Sequence, residues 1–183
     1  MDASYHGNAV CKGKSMAIEQ MIARLFRMDE GTRRRHTNPR SGYSRFSMVP
    51  LLGLAFWSRA WLGWWALIPI TATVLWVWLN PRIFAEPRST DNWASKAVLG
   101  EWVWMNRRNV PVPKRHRHIP NALSVVAVIG SAFFVWGLII LDVWPTLMGG
   151  AITVIGKLWF ADRMVWLYED MKDATPEYKS WLY

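Results

Sequence analysis

The sequence is poor in cysteine, histidine and acid. Its 183 residues include one cysteine, Cys11, and four histidines, His6, His36, His116 and His118. A single cysteine excludes an intrachain disulfide and every Cys-rich zinc or iron–sulfur centre. Four histidines are too few for the His-rich boxes of a membrane di-iron oxygenase or desaturase. His116-x-His118 has no partner at helical i, i+4 spacing, so no metal site is expected. Gly-rich phosphate loops and a Gly-x-Ser-x-Gly elbow are absent, which removes the common nucleotide-binding and serine-hydrolase signatures. Acids number 13 against 22 Lys and Arg, a net charge of +9.

Charge is missing altogether from two long stretches. Ile119–Leu141 and Ala60–Leu79 carry no ionisable side chain. At about 1.5 Å per helical residue, each crosses a hydrocarbon core of about 30 Å. Buried helices of soluble proteins rarely run so far without a charge, so these predict an all-α integral membrane bundle. Phe46–Trp57 and Val143–Ala161 are shorter or less clean, the latter carrying Lys157. Whether Phe46–Trp57 spans fully is left open by its length.

Charge position orders these segments. Residues 1–45 hold nine Lys or Arg and residues 80–118 hold eight. Positive residues stay on the cytoplasmic side, so an even number of crossings separates the two regions. The expectation is four spans in two transmembrane hairpins, 46–79 and 119–161, following a basic cytoplasmic N-terminal region, 1–45. A cytoplasmic loop, 80–118, joins the hairpins, and a C-terminal helix and tail, 162–183, complete the membrane domain, 46–183. Both termini face the cytoplasm, and the membrane is the cell's inner (plasma) membrane. The first apolar block begins past residue 45, so no cleavable signal is expected, and Met1, Met16 and Met21 all remain possible starts. Trp57, Trp61, Trp64, Trp65 and Trp144 fall around the outer turns and Trp76, Trp78 and Trp159 near the inner ends, as aromatic belts require. Pro69 lies inside the second arm and predicts a kink, with Thr71 or Thr73 compensating. Small residues of the second hairpin, among them Gly130, Gly137, Gly149 and Gly156, predict close helix contact.

Two amphipathic interfacial helices are expected beside the spans. Ser15–Met28 places Ile18, Met21, Ile22, Leu25 and Phe26 on one face. A second, from about Trp93 to Arg108, is capped by Thr90 or Asp91 and groups Val98, Leu99, Trp102 and Met105 against the inner membrane surface. Asn80-Pro81-Arg82 reads as a helix stop, and Thr175-Pro176-Glu177 as the start of a short helix 176–182. Arg33, Arg34, Arg35, Arg107, Arg108, Lys114, Arg115 and Arg117 are the candidate contacts to anionic headgroups, at about 1 kcal/mol per charge. The same inside-positive bias accounts for the net charge, so no nucleic-acid partner is expected.

Of the ionisable residues near the membrane, only Arg59, Asp142, Lys157 and Asp162 qualify, and all sit at span ends. A homo-oligomeric channel or transporter subunit would need Ser124, Ser131 or Thr153 to line a shared axis.

The stretches His36-Thr37-Asn38-Pro39-Arg40, Trp57-Ser58-Arg59, Asn80-Pro81-Arg82, Thr90-Asp91-Asn92-Trp93 and Tyr168-Glu169-Asp170-Met171 resemble a family of small prokaryotic membrane proteins classed only as a domain of unknown function. The resemblance covers roughly residues 33–183 and implies that these polar stretches are family features, without adding an activity. A more distant likeness is to the isoprenylcysteine and phospholipid methyltransferases. It rests on Arg35, His36, Pro39 and Tyr43, the turn Trp57-Ser58-Arg59-Ala60-Trp61, then Glu169, Asp170 and Tyr178. That resemblance implies S-adenosylmethionine held by Arg35, His36, Tyr43, Glu169, Asp170 and Tyr178, with His36 and Glu169 catalytic and a lipid or prenylated substrate. Thr37 and Asn38 separate His36 from Pro39 here, and a whole second hairpin precedes the acids.

The residues themselves expose no catalytic set and need no cofactor. They favour an accessory or scaffold protein contacting lipid, partner membrane proteins or further copies of itself, with the methyltransferase as the alternative.

Overall fold

A computed structural model describes residues 30–183. The chain divides into two units, 1–33 and 34–183, and the second carries the apolar helices. The amphipathic segment expected at 15–28 lies outside the described residues. Every regular element among the described residues is helical: α1 (Glu30–His36), α2 (Pro39–Ser44), α3 (Met48–Trp57), α4 (Arg59–Leu62), α5 (Leu67–Ile83), α6 (Trp93–Met105), α7 (Ile119–Ile140), α8 (Val143–Met171) and α9 (Pro176–Ser180). Short 3-10 turns occupy Arg45–Ser47, Gly63–Ala66 and Lys114–His116.

Three helical runs are long and apolar enough to cross a membrane, Pro39–Asn80, Lys114–Ile140 and Val143–Met171. Where the sequence predicts two separate arms over 46–79, the structure has one nearly unbroken helical run, because α2 to α5 follow one another through 3-10 turns. The run nevertheless folds back. Gly63, which opens the second 3-10 turn, takes φ +54°, a conformation glycine adopts at no steric cost. The ends then meet: Ser41 donates to Asn80 Oδ1 at 3.1 Å and Asn80 Nδ2 donates to Ser44 at 2.7 Å. Pro69 causes no mid-helix kink. It lies in the first turn of α5, where its missing N–H has no intrahelical acceptor to lose.

α7 and α8 are antiparallel because only two residues join them. Leu141 turns left-handed at φ 55°, and Asp142 caps α8 by accepting from the Trp144 N–H at 2.9 Å. Their glycines set the separation. Gly130 abuts Thr153, Gly137 abuts Thr146, Gly149 meets the Phe133–Phe134 backbone and Gly156 meets Ala127. One register runs through all four, so the backbones approach where each Cβ is missing.

Apolar side chains along these runs face outward. Val128, Trp136, Ile139, Leu147 and Met148 are each more than three-fifths exposed. The tightest core lies elsewhere, where α6 packs on the C-terminal part of α8: Val103, Met164, Leu167 and Tyr168 are fully buried, joined by Leu99 and Tyr178. A chain that leaves its most apolar helices bare and builds its core from less apolar ones is suited to lipid around the former.

α6 therefore does more than lie on a surface. Val98 and Leu99 are buried in this core while Met105, expected on the same face, is 75% exposed. The helix is held on two sides, Ala94 against Gly42 of α2 and Gly100 against Met164 of α8. Its cap is Asn92, whose Oδ1 accepts from Ser95 N at 2.9 Å, rather than Thr90 or Asp91. Thr90 instead donates to the Trp181 carbonyl at 2.7 Å. α6 ends at Met105, α5 continues to Ile83 past the expected stop, and α9 ends at Ser180.

Candidate functional site

Polar chemistry collects at the end of the molecule that carries α6, in two places. The first begins at Arg45, just before α3. Its Nη2 donates to the His36 carbonyl at 3.0 Å, its Nε to the Ser41 carbonyl at 3.2 Å, and its Nη1 lies 2.8 Å from His36 Nε2. A guanidinium only donates, so Nε2 accepts and the ring proton resides on Nδ1. Burial, and then the Arg45 charge, lower the His36 pKa to about 4, so the ring is neutral at physiological pH. Thr37 is fixed beside it by Ser95, whose hydroxyl donates to the Thr37 carbonyl at 2.5 Å.

Arg45 also lies within electrostatic reach of Glu101 on α6. Burial pushes the Glu101 carboxyl upward, and Arg45 and Lys157 oppose that rise. On another side of α6, Lys96 pairs with Asp91 and with Glu169, both at 2.6 Å, and Glu169 also holds Lys172 at 2.8 Å. The bonds to Asp91 and Glu169 raise the Lys96 pKa.

The second place is a cleft of about 320 Å³ where α7 begins and α8 extends beyond its apolar stretch. Arg115, His116, Arg163, Trp166 and Asp170 line it, with Ile119 and Pro120 as its apolar wall. Asp170 Oδ2 is shared by His116 Nε2 at 2.5 Å and Arg115 Nη2 at 2.6 Å. The Arg163 guanidinium stacks on Trp166, 4.7 Å from its ring centre, and its buried Nε has no partner among the described residues.

At the opposite end, Arg59 donates from Nη2 to the carbonyls of Leu138 and Ile139, the last turn of α7. Trp57 Nε1 reaches Thr146 at 3.4 Å. An apolar groove of about 610 Å³ runs from there between α3 and α8, lined among others by Val49, Leu54, Phe134 and Leu147.

The residues expected to hold a cofactor are engaged by different partners. His36 is bound to Arg45, Glu169 lies between Lys96 and Lys172, and Tyr178 is buried, its hydroxyl accepting from Asn106 Nδ2 at 2.8 Å. Tyr43 stacks on Trp93 with centroids 6.4 Å apart. Arg35 is exposed, and Asp170 belongs to the α7–α8 cleft. Neither the cleft nor the apolar groove is lined by His36, Glu169 or Tyr178.

Among the expected headgroup contacts, Arg34, Arg108, Lys114 and Arg117 are exposed. Arg107 stacks on Trp104 at 4.5 Å. The Arg33 side chain lies outside the described residues. Arg115 lines the α7–α8 cleft. Ser131 and Thr153 face each other across α7 and α8 at 3.3 Å, and each hydroxyl, like that of Ser124, donates to a carbonyl one turn back on its own helix.

Sequence reasoning passes over Arg45, Glu101 and Arg163, and reads Asn80 only as a helix stop and a family feature, not as the partner of Ser41 and Ser44. The partners of Asn80 and Glu101 are far along the chain, and the nearby partners of Arg45 and Arg163, Ser41 and His36 for the one and Trp166 for the other, form no pattern that spacing alone marks. His116 reads in sequence as one of two surface histidines, yet it is buried against Asp170.

A family model described as a family of unknown function, DUF6653, matches residues 17–181. The match starts ahead of the similarity read from the polar stretches and takes in most of the segment 15–28. No curated protein and no solved structure matches the chain, and the likeness to the methyltransferases finds no support in these comparisons.

Proposed function

Because the chain belongs to DUF6653, a family of unknown function, its role has to be read from its own residues, and we propose that it is a four-span integral membrane protein with both termini cytoplasmic. It acts as an accessory or scaffold protein through a folded cap on the inner face of the plasma membrane. One observation carries this reading: the two turns share one end of the molecule and the basic segments share the other. Trp57 touches Thr146 and Arg59 reaches the last turn of α7, whereas Ser41 and Ser44 meet Asn80 beneath α6. Both apolar pairs then enter and return on the same side, the side carrying the Lys and Arg.

The polar residues support a scaffold by how they are used. His36, Thr37, Asn80, Asn92 and Glu169 each join one helix to another or cap one. They build the cap and do not converge on a reaction centre. What the cap offers outward is basic and aromatic surface, suited to anionic headgroups and partner helices.

Two measurements test this. In a Cys11→Ser background, an impermeant maleimide applied to intact cells should label Trp64→Cys at the turn and spare Asn109→Cys in the basic loop. The reverse pattern overturns the topology. Calorimetry of the purified protein with S-adenosylmethionine up to millimolar concentration should give no saturable heat; saturable binding would replace the scaffold with the methyltransferase.

A further inference from the structure

We propose that the cleft between α7 and α8, formed by Arg115, Arg163 and Trp166, seats the phosphodiester of an anionic phospholipid such as phosphatidylglycerol. The inference rests on the reading that this end of the helices meets the inner leaflet.

The chemistry of the cleft is that of an anion site. Two guanidiniums converge on it. Asp170, shared by Arg115 and His116, offsets one of the two guanidinium charges and leaves the other uncompensated. A phosphodiester brings the one negative charge that balances it. Asp170 takes one amino group of Arg115, and a guanidinium has five N–H donors, so most of the Arg115 donor set remains available. Arg163 is fixed by its stacking on Trp166, which orients its planar fork, and its Nε–H lacks an acceptor among the described residues. Such a fork matches two oxygens of one phosphate. The cleft volume of about 320 Å³ falls within the range of small-ligand sites.

Depth favours a lipid over a soluble anion. The apolar stretch of α8 ends at Ala161. Arg163 and Trp166 then lie about 3 and 8 Å beyond it at 1.5 Å per residue. The polar layer on each face of a bilayer is about 5–8 Å thick. Ile119 and Pro120 open α7 on the hydrocarbon side of the cleft, where the glycerol and acyl chains of a bound lipid would continue, and the exposed edge of Trp166 suits that boundary.

The test uses the full chain purified in a neutral detergent. Phosphatidylglycerol, phosphatidylcholine and inorganic phosphate are added separately, and retained lipid is read by native mass spectrometry alongside the thermal midpoint. The wild type should keep one phosphatidylglycerol per chain and gain thermal stability from it, with little response to phosphatidylcholine. The double variant Arg115→Gln/Arg163→Gln should bind about tenfold more weakly or worse, a loss of about 1.4 kcal/mol at the least. Arg88→Gln/Lys179→Gln, which removes the same charge from exposed residues outside the cleft and outside the expected headgroup contacts, should bind as wild type. If the double variant fails to fold, Arg115→Gln alone, at an exposed side chain, gives the same reading with a smaller loss. Unchanged binding in these variants, or equal retention of both lipids, overturns the proposal. A stability gain from millimolar inorganic phosphate without lipid retention also overturns it, in favour of a soluble anion. Binding in detergent is independent of sidedness, so failure here is distinct from failure of the labelling experiment.

Discussion

Gly100 lies directly on the backbone of Met164: a Cβ placed at Gly100 would stand 1.9 Å from the Met164 carbonyl oxygen. This contact is where α6 is fastened to α8, a helix long and apolar enough to cross a membrane. Gly100→Ala gains helix propensity of about 1 kcal/mol but must force two backbones apart, and overpacking of this kind costs about 1–3 kcal/mol or more. The expected outcome is a lower thermal midpoint and greater protease sensitivity at α6. Gly53→Ala is the contrast, because its nearest neighbour would be the Phe134 ring at 3.6 Å, an ordinary contact. Equal effects of the two substitutions would mean that the α6–α8 contact is not tight.

The His36–Arg45 pair makes stability depend on pH. The folded chain holds His36 neutral down to about pH 4, whereas an unfolded imidazole protonates near 6.5. Between those values the unfolded state binds more protons, so stability falls as pH falls. The loss is at most about 3 kcal/mol at roughly 1.4 kcal/mol per pH unit. Thermal unfolding from pH 7.5 to 4 should show a steeper decline for the wild type than for His36→Gln. Parallel curves would show that the imidazole is solvated and that Arg45 does not depend on it.

How much of the fold is legible in the sequence depends on the range of each interaction. The long charge-free runs mark themselves, since composition over twenty residues is a local signal. The cap at Thr175 is readable for the same reason. α6 is readable as a helix but not in its surroundings. Its apolar face reads as a lipid contact, and periodicity is silent on whether the neighbour is lipid or protein. Nothing near Glu169 in sequence announces Lys96, and nothing near Asp170 announces His116, because the whole of the second apolar pair separates the partners in the chain. The continuity of Pro39–Asn80 escapes the sequence because the polar break at Ser58-Arg59 reads as a loop, whereas the chain stays helical through it.

Asn80 closes the first apolar pair with both ends of its amide. It is fully buried, donating to Ser44 and accepting from Ser41, itself fully buried. Asn80→Leu leaves the Ser41 hydroxyl without its acceptor and should cost about 1–3 kcal/mol. A cycle with Ser41→Ala isolates the pair, and the double variant should lose clearly less than the two single losses added together. Strict additivity would show that the fold-back is held by apolar contact alone.

Arg59 sits in the turn expected to face outward, and its guanidinium reaches the carbonyls of Leu138 and Ile139. The last carbonyls of a helix have no intrahelical donor and carry the negative end of its dipole. A cation there is worth about 0.3–1 kcal/mol, and the direct hydrogen bonds add to it. Arg59→Met should therefore lose about 1–2 kcal/mol, while Arg59→Lys keeps the charge and should lose less. Because the donors touch the carbonyls, both differences should persist when the salt is raised to molar concentration, where a loose surface attraction would vanish. An Arg59→Met protein as stable as the wild type would mean that water already serves those carbonyls, leaving the Trp57–Thr146 contact and the apolar packing of α3 on α8 to hold the two helical pairs together at that end.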